Sequence, residues 1–158
     1  MAGPKTIYVI DTSSIIKWHV EEYPPSIFEK LVYRIEELIV QGRLKSPRAV
    51  FDEARPGDDC HDWCKNQTDL FVEESTSVQT IVRELMKTHH NTKKPHKGIS
   101  GADPFVIAMA KDGGQHWKVV ADEHPGSAEN RKIPYVCNAE SVECITFKGM
   151  ILSEGWKF

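Results

Sequence analysis

Two runs of strand length and almost wholly apolar composition, Ile7-Tyr8-Val9-Ile10 and Val119-Val120-Ala121, constrain the fold of this chain more than any other feature. Runs without polar alternation belong inside a sheet covered on both faces, where each side chain meets an apolar neighbour. Around them, segments with helical spacing alternate with further short strands. That order predicts an α/β protein with a mainly parallel sheet and helices on both faces.

The elements follow from local pattern. Residues 6–10 read as a central strand, and a brief helix over 14–19 ends before Pro24-Pro25. Ser26-Ile27-Phe28-Glu29 has capping-box spacing, and Ile27, Leu31, Ile35, Leu38 and Ile39 recur at helical intervals until Gly42. A short strand at 43–46 precedes a helix opened by Pro47, and Pro56-Gly57-Asp58-Asp59 breaks that helix. A short helix at 60–65 and a strand at 70–72 come next. Val78, Ile81, Val82, Leu85 and Met86 define an amphipathic helix begun by Ser75-Thr76-Ser77. Residues 89–98 are polar, basic and interrupted by Pro95 and Gly98, hence a loop, and a helix starts near Pro104 and ends before Gly113-Gly114. Residues 130–133 read as a turn. Tyr135-Val136-Cys137 and Cys144-Ile145-Thr146 read as edge strands around a helical turn at 139–142, with a last helical turn at 147–152.

A chain of 158 residues suits a single domain spanning 1–158 with a real core. No apolar run approaches the roughly 18 residues that cross a bilayer, so no membrane association is expected. Met1-Ala2-Gly3-Pro4-Lys5 leads straight into a strand instead of a signal peptide, and the four cysteines are too scattered for a disulfide scaffold; both point to the cytoplasm. The net charge of −3 argues against binding polyanions over the whole surface and leaves room for a local basic track.

Four acidic residues stand where such a sheet would gather them. Asp11 follows the first strand, Glu53 ends Ser46-Pro47-Arg48-Ala49-Val50-Phe51-Asp52-Glu53, Asp103 lies in Gly101-Ala102-Asp103-Pro104-Phe105, and Asp122 follows the strand through Val120. Loops at the carboxyl ends of parallel strands open on one crevice, so these side chains can converge there. Clustered carboxylates repel unless a cation neutralises them, which predicts a divalent metal. Each acid also has an ordinary explanation. Asp11 suits the cap of the following helix, Asp103 the N-cap before Pro104, Glu53 a solvated helix face and Asp122 simple loop polarity.

The joint pattern resembles the PIN domain superfamily, closest to the small prokaryotic branch that includes VapC-type toxins. The resemblance rests on the strand-Asp-Thr-Ser opening, the Ser-Pro-x-x-Val-x-x-Glu segment, the Gly-Ala-Asp-Pro-Phe-Val-Ile-Ala helix start and the Val-Val-x-Asp ending. It runs over most of the chain, including Ile133-Pro134-Tyr135-Val136-Cys137 and the Gly155-Trp156-Lys157-Phe158 end. It implies a three-layer α/β/α sandwich, Mg2+ or Mn2+ in an acidic pocket, and hydrolysis of RNA phosphodiester bonds by a metal-dependent endoribonuclease. By motif position Asp11, Glu53, Asp103 and Asp122 inherit the catalytic pocket, with Asp11, Asp103 and Asp122 on the metal and Ser13 as supporting hydrogen-bond partner. Relatives often carry Thr or Ser where this chain has Ala121. The resemblance further implies a homodimer and, in the toxin branch, an antitoxin partner.

Further expectations concern neighbouring residues. The Lys93-Lys94-Pro95-His96-Lys97 loop, just before Asp103, is expected to supply a positive track for RNA, with a merely solvated loop as the alternative. Of the adjacent acids Asp122 and Glu123, strand geometry sends the side chains to opposite faces, and Asp122 is expected on the metal. Cys60 and Cys64 with nearby histidines match no common zinc spacing, and Trp18, Trp63, Trp117 and Trp156 suit a core or dimer contact better than base stacking. Two competing classes remain. A haloacid-dehalogenase-type phosphatase would need a second Asp where Ser13 stands, and a catalytically silent PIN-fold binding module would keep the fold without cleavage.

Overall fold

The computed structural model describes residues 3, 5–54, 59–94 and 97–158. Five parallel strands form one sheet in the order β3-β2-β1-β4-β5, flanked by helices in an α/β/α arrangement. The strands are β1 (Ile7–Ile10), β2 (Leu44–Pro47), β3 (Phe71–Val72), β4 (Trp117–Val120) and β5 (Cys144–Ile145). β1 lies in the middle, with Tyr8 opposite Leu44 of β2 and Val9 opposite Val119 of β4. As expected from its composition, most of β1 is covered; Tyr8, Val9 and Ile10 are buried and Ile7 is half-buried. The chain builds outward from β1 to β2 and β3, then returns to place β4 and β5 on the other side. The reversal opens a crevice at the carboxyl ends of β1 and β4, the position where open α/β sheets bind ligands.

The helices are α1 (Thr12–Ile16), α2 (Glu29–Val40), α3 (Arg48–Glu53), α4 (Asp59–Asn66), α5 (Thr76–His89), α6 (Asp103–Gly113), α7 (Ile133–Ala139) and α8 (Phe147–Glu154). A π-helical segment, Lys17–Glu22, continues α1 and buries Trp18. Helix α6 packs on β1, β2 and β4 and against α5 and α7. Its face of Val106, Ile107, Met109 and Ala110 is buried, which explains why this helix is apolar nearly all round. Trp18 stacks on Phe147 of α8 and meets Trp63 of α4 edge-on, with ring centroids 5.9 and 5.0 Å apart. These tryptophans serve packing, each large buried side chain contributing roughly 1.5–3 kcal/mol.

Several local expectations are corrected. Tyr135-Val136-Cys137 is not an edge strand but part of α7: Ile133, Val136 and Cys137 are all buried at i, i+3, i+4 spacing, and Pro134 fits the first turn of a helix. The expected helical turn at 139–142 is a reversal with Ser141 at φ 58 that feeds β5. Ser26 does not cap α2, which starts at Glu29 after a turn closed on the Pro24 carbonyl, leaving Ile27 exposed. Helix α5 runs to His89, into the segment expected to be loop, whereas Ser75 caps it as expected by accepting from the Val78 amide. The proposed break at Pro56-Gly57-Asp58, together with Pro95, His96 and residues 1, 2 and 4, lies outside the described residues.

Candidate acidic site at the ends of the central strands

Asp11 leaves β1 in extended conformation and caps α1, its Oδ2 accepting from the Ser13 amide at 3.2 Å and the Ser13 hydroxyl at 2.8 Å. The capping alternative is therefore realised, and it coexists with a place in the crevice. Only 3% of Asp11 is exposed. Ser13 Oγ also accepts from the Asp122 amide at 3.1 Å, so one hydroxyl ties the end of β1 to the end of β4.

Glu53, the last residue of α3, reaches across to two other segments. Its Oε2 accepts from Thr12 Oγ1 at 3.1 Å and its Oε1 from the Ala102 amide at 2.8 Å. Gly101, at φ +55, makes this approach possible; a Cβ there would run into Glu53 Oε1. Asp103 is the first residue of α6, with Ala102 at the cap position, and its Oδ2 accepts from the Ser100 amide at 3.3 Å. Asp103 is thus one residue inside the helix instead of at its cap, close to the positive end of the helix dipole.

Asp122 and Glu123 follow the end of β4 and take different partners. The chain leaves β4 extended, and the two neighbouring side chains do diverge. Asp122 Oδ2 accepts from Ser14 Oγ at 2.5 Å and from the Phe147 amide at 3.0 Å, joining α1 to the start of α8. Glu123 Oε1 accepts from the Ile133 amide at 2.8 Å, and it is Glu123 whose charge acts on Asp103. Of the two, Glu123 is thus the one whose charge raises Asp103.

Electrostatics bind the group together. Burial, then the charges of Asp11, Glu123 and Glu53, push the Asp103 carboxyl up to about 7, against the lowering effect of the Ser100 amide. Burial also raises Asp11, with Glu53 adding to the rise and Ser13 opposing it. Glu123 is raised by burial and by Asp11, and lowered by the Ile133 amide and the Lys132 cation. Lys132 is a site residue that reading the sequence missed. Its only signal is adjacency to Ile133, and the pairing of Ile133 with Glu123 is visible only in three dimensions.

Lys93 and Lys94 are exposed and Lys97 is half-buried; none of them is among the charges acting on these carboxylates. Asn91 Oδ1 accepts from the Lys93 and Lys94 amides, and the Gly98 amide donates to Asn130 Oδ1 at 2.7 Å.

Among the described residues, no group of three or more His, Cys, Asp or Glu side chains is arranged to hold a metal ion by itself. The donor set is all oxygen, partly engaged in hydrogen bonds, and short of positive charge. Such a set fits a hard cation that keeps much of its water and uses one or two carboxylates, the habit of Mg2+, and does not fit a closed zinc cage. No curated protein matches the chain. Over residues 8–158 the chain matches the family described as a domain of unknown function, DUF4411, and it belongs to that family.

Proposed function

We propose that this protein is a PIN-like, metal-dependent endoribonuclease. The observation that carries the reading is the convergence of Asp11, Glu53, Asp103 and Glu123, from four separate segments, at the crevice where the sheet order reverses. Uncompensated carboxylates in one place favour a cation, and Mg2+ or Mn2+ held by one or two of Asp11, Asp103 and Glu123, with water completing its shell, would match the chemistry of these donors. When bound, the cation would neutralise phosphate charge and lower the pKa of a water. The chain's own part is positional. Ser13 fixes Asp11 against the end of β4, Glu53 holds the start of α6 through Ala102, and Asp122 anchors α8.

RNA is the substrate class in this reading, with Lys132 and the lysines at 93, 94 and 97 offering positive charge on the two loops beside the crevice. Action in the cytoplasm as the toxin of a toxin–antitoxin pair, and as a homodimer, belongs to the same proposal. A phosphatase of the haloacid-dehalogenase type is disfavoured because Ser13 stands where that chemistry needs a second Asp and is engaged with Asp11. A silent binding module has one observation in its favour, the lack of a ready-made metal cage among the described residues.

The deciding experiment is cleavage of defined RNAs with Mg2+, with Mn2+ and with EDTA, by wild type and by Asp11→Asn. Cleavage that needs the metal and falls at least a hundredfold in the variant is expected. RNA binding without metal-dependent cleavage would establish the silent module instead.

A further inference from the structure

Away from the carboxylates, the end of α5 carries a histidine whose neutral tautomer is set by its partners. His89 is buried, with its side chain 2% exposed. Its Nδ1 lies 2.8 Å from Arg131 Nη1 and its Nε2 lies 3.1 Å from Oε2 of Glu140, the residue after α7. A guanidinium only donates, so Nδ1 must offer its lone pair; the single ring proton then sits on Nε2 and is donated to Glu140. Glu140 also receives Lys111 of α6 at 2.8 Å, and these two donors hold its carboxyl below the ordinary value.

Arg131 is the other half of the arrangement. It closes the segment between β4 and α7, in which Gly126 and Arg131 form an antiparallel bridge and the Lys132 amide donates to the Pro125 carbonyl. Its Nε donates to the Ala128 carbonyl, its Nη1 also reaches the Thr88 carbonyl, and its guanidinium lies over the Tyr135 ring. The same segment supplies Asn130 to the Gly98 amide and leads directly to Ile133, whose amide holds Glu123.

We infer that His89 is a positioning residue: as the neutral Nε2–H imidazole it latches Arg131, and through the 126–132 segment it holds Glu123 and Gly98 in place, until ring protonation releases them. Protonation puts a second N–H against the Arg131 guanidinium, so the bond at Nδ1 is lost and two cations face each other. Among the described residues, the charged groups around the ring are Arg131 from the 126–132 segment, Glu140 just after α7 and, through Glu140, Lys111 from α6. Glu140 accepts from the charged ring as readily as from the neutral one. Only the Arg131 side opens. The inference rests on the proposed site only in naming what the latch holds.

The test uses the intact protein and no RNA. Long-range 15N–1H correlation across the imidazole titration range reads the His89 tautomer, and amide exchange, corrected for intrinsic rate, reads the segment. Expected is a proton on Nε2 in the neutral ring, with protection of the Gly98 and Ile133 amides dropping at least tenfold as the ring protonates. The Tyr8 amide, bonded to the Arg43 carbonyl far from the latch, should hold its protection. Arg131→Met should show the low values at every pH. A proton on Nδ1, unchanged protection through the titration, or equal loss at Tyr8 would each overturn the latch. A protein without nuclease activity gives the same readouts, so failure of the latch and failure of the ribonuclease reading stay distinct.

Discussion

Asp103 makes the site measurable before any substrate is known. Its folded carboxyl titrates at about 7, against an ordinary value near 3.8. Between those values the folded protein binds more protons than the unfolded chain, so stability falls as pH rises through the window and the full cost is present above it. Metal-free protein should therefore melt lower at pH 8 than at pH 5. Asp103→Asn should flatten that slope and gain on the order of 2 kcal/mol at pH 8. A calorimetric series in EDTA checks it, and a variant with the wild-type slope would remove Asp103 from the repelling group. The adjacent acids differ in the same way. Glu123→Gln should abolish most of the melting-temperature rise produced by Mn2+, whereas Asp122→Asn should keep that response and lose about 1–2 kcal/mol of stability through Ser14 and Phe147. Sequence pattern located both acids and even their divergence, since neighbours in extended chain point apart. Which of them faces the crevice depends on the path after Val120, and that path is set by the Ile133 amide and the start of α8, contacts with no local signal.

At the scale of elements, the sheet is clamped at the end opposite the carboxylates. Arg43, just before β2, forms paired bonds of 2.8 and 2.7 Å to Glu154 of α8, and Tyr8 of β1 donates to the same carboxylate at 2.6 Å. Burial works to raise the Glu154 carboxyl, but Arg43 and Tyr8 outweigh it and hold the group low. A depressed carboxyl contributes stability above its unfolded value and loses it as pH falls through the folded one. Glu154→Gln should cost about 2–4 kcal/mol at pH 7, because Arg43 is left half-buried without its charge partner, and less at pH 3. Chemical denaturation at the two pH values measures this. The elements themselves were legible where spacing or capping was decisive, as in β1, α5 and α6. They were misread where short apolar runs suit either period. Tyr135-Val136-Cys137 looks like a strand through its β-branched and aromatic content, yet its buried partners lie three and four residues apart.

For the whole molecule, a mainly parallel sheet with β1 at its centre followed from the apolar runs and the alternation of elements, whereas assembly is written on surfaces. Helix α2 exposes Tyr33 and Val40, and the C-terminal end exposes Leu152 and Phe158. If pairing uses such residues, sedimentation at tens of micromolar should give a dimer and Tyr33→Glu with Val40→Glu a monomer; a wild-type monomer there would end the idea. The crossover that brings β4 back beside β1 has a consequence in time. Asp11 and Glu53 leave the ribosome early, but their acidic companions at 103 and 123 come later, and Glu123 is held only once Ile133 has been added. No fragment short of that point carries a complete site, and the non-local pairing that completes it is slow to form. A chain able to cut RNA would thus stay harmless to the message and ribosome producing it until residue 133 had been added and the crossover had folded.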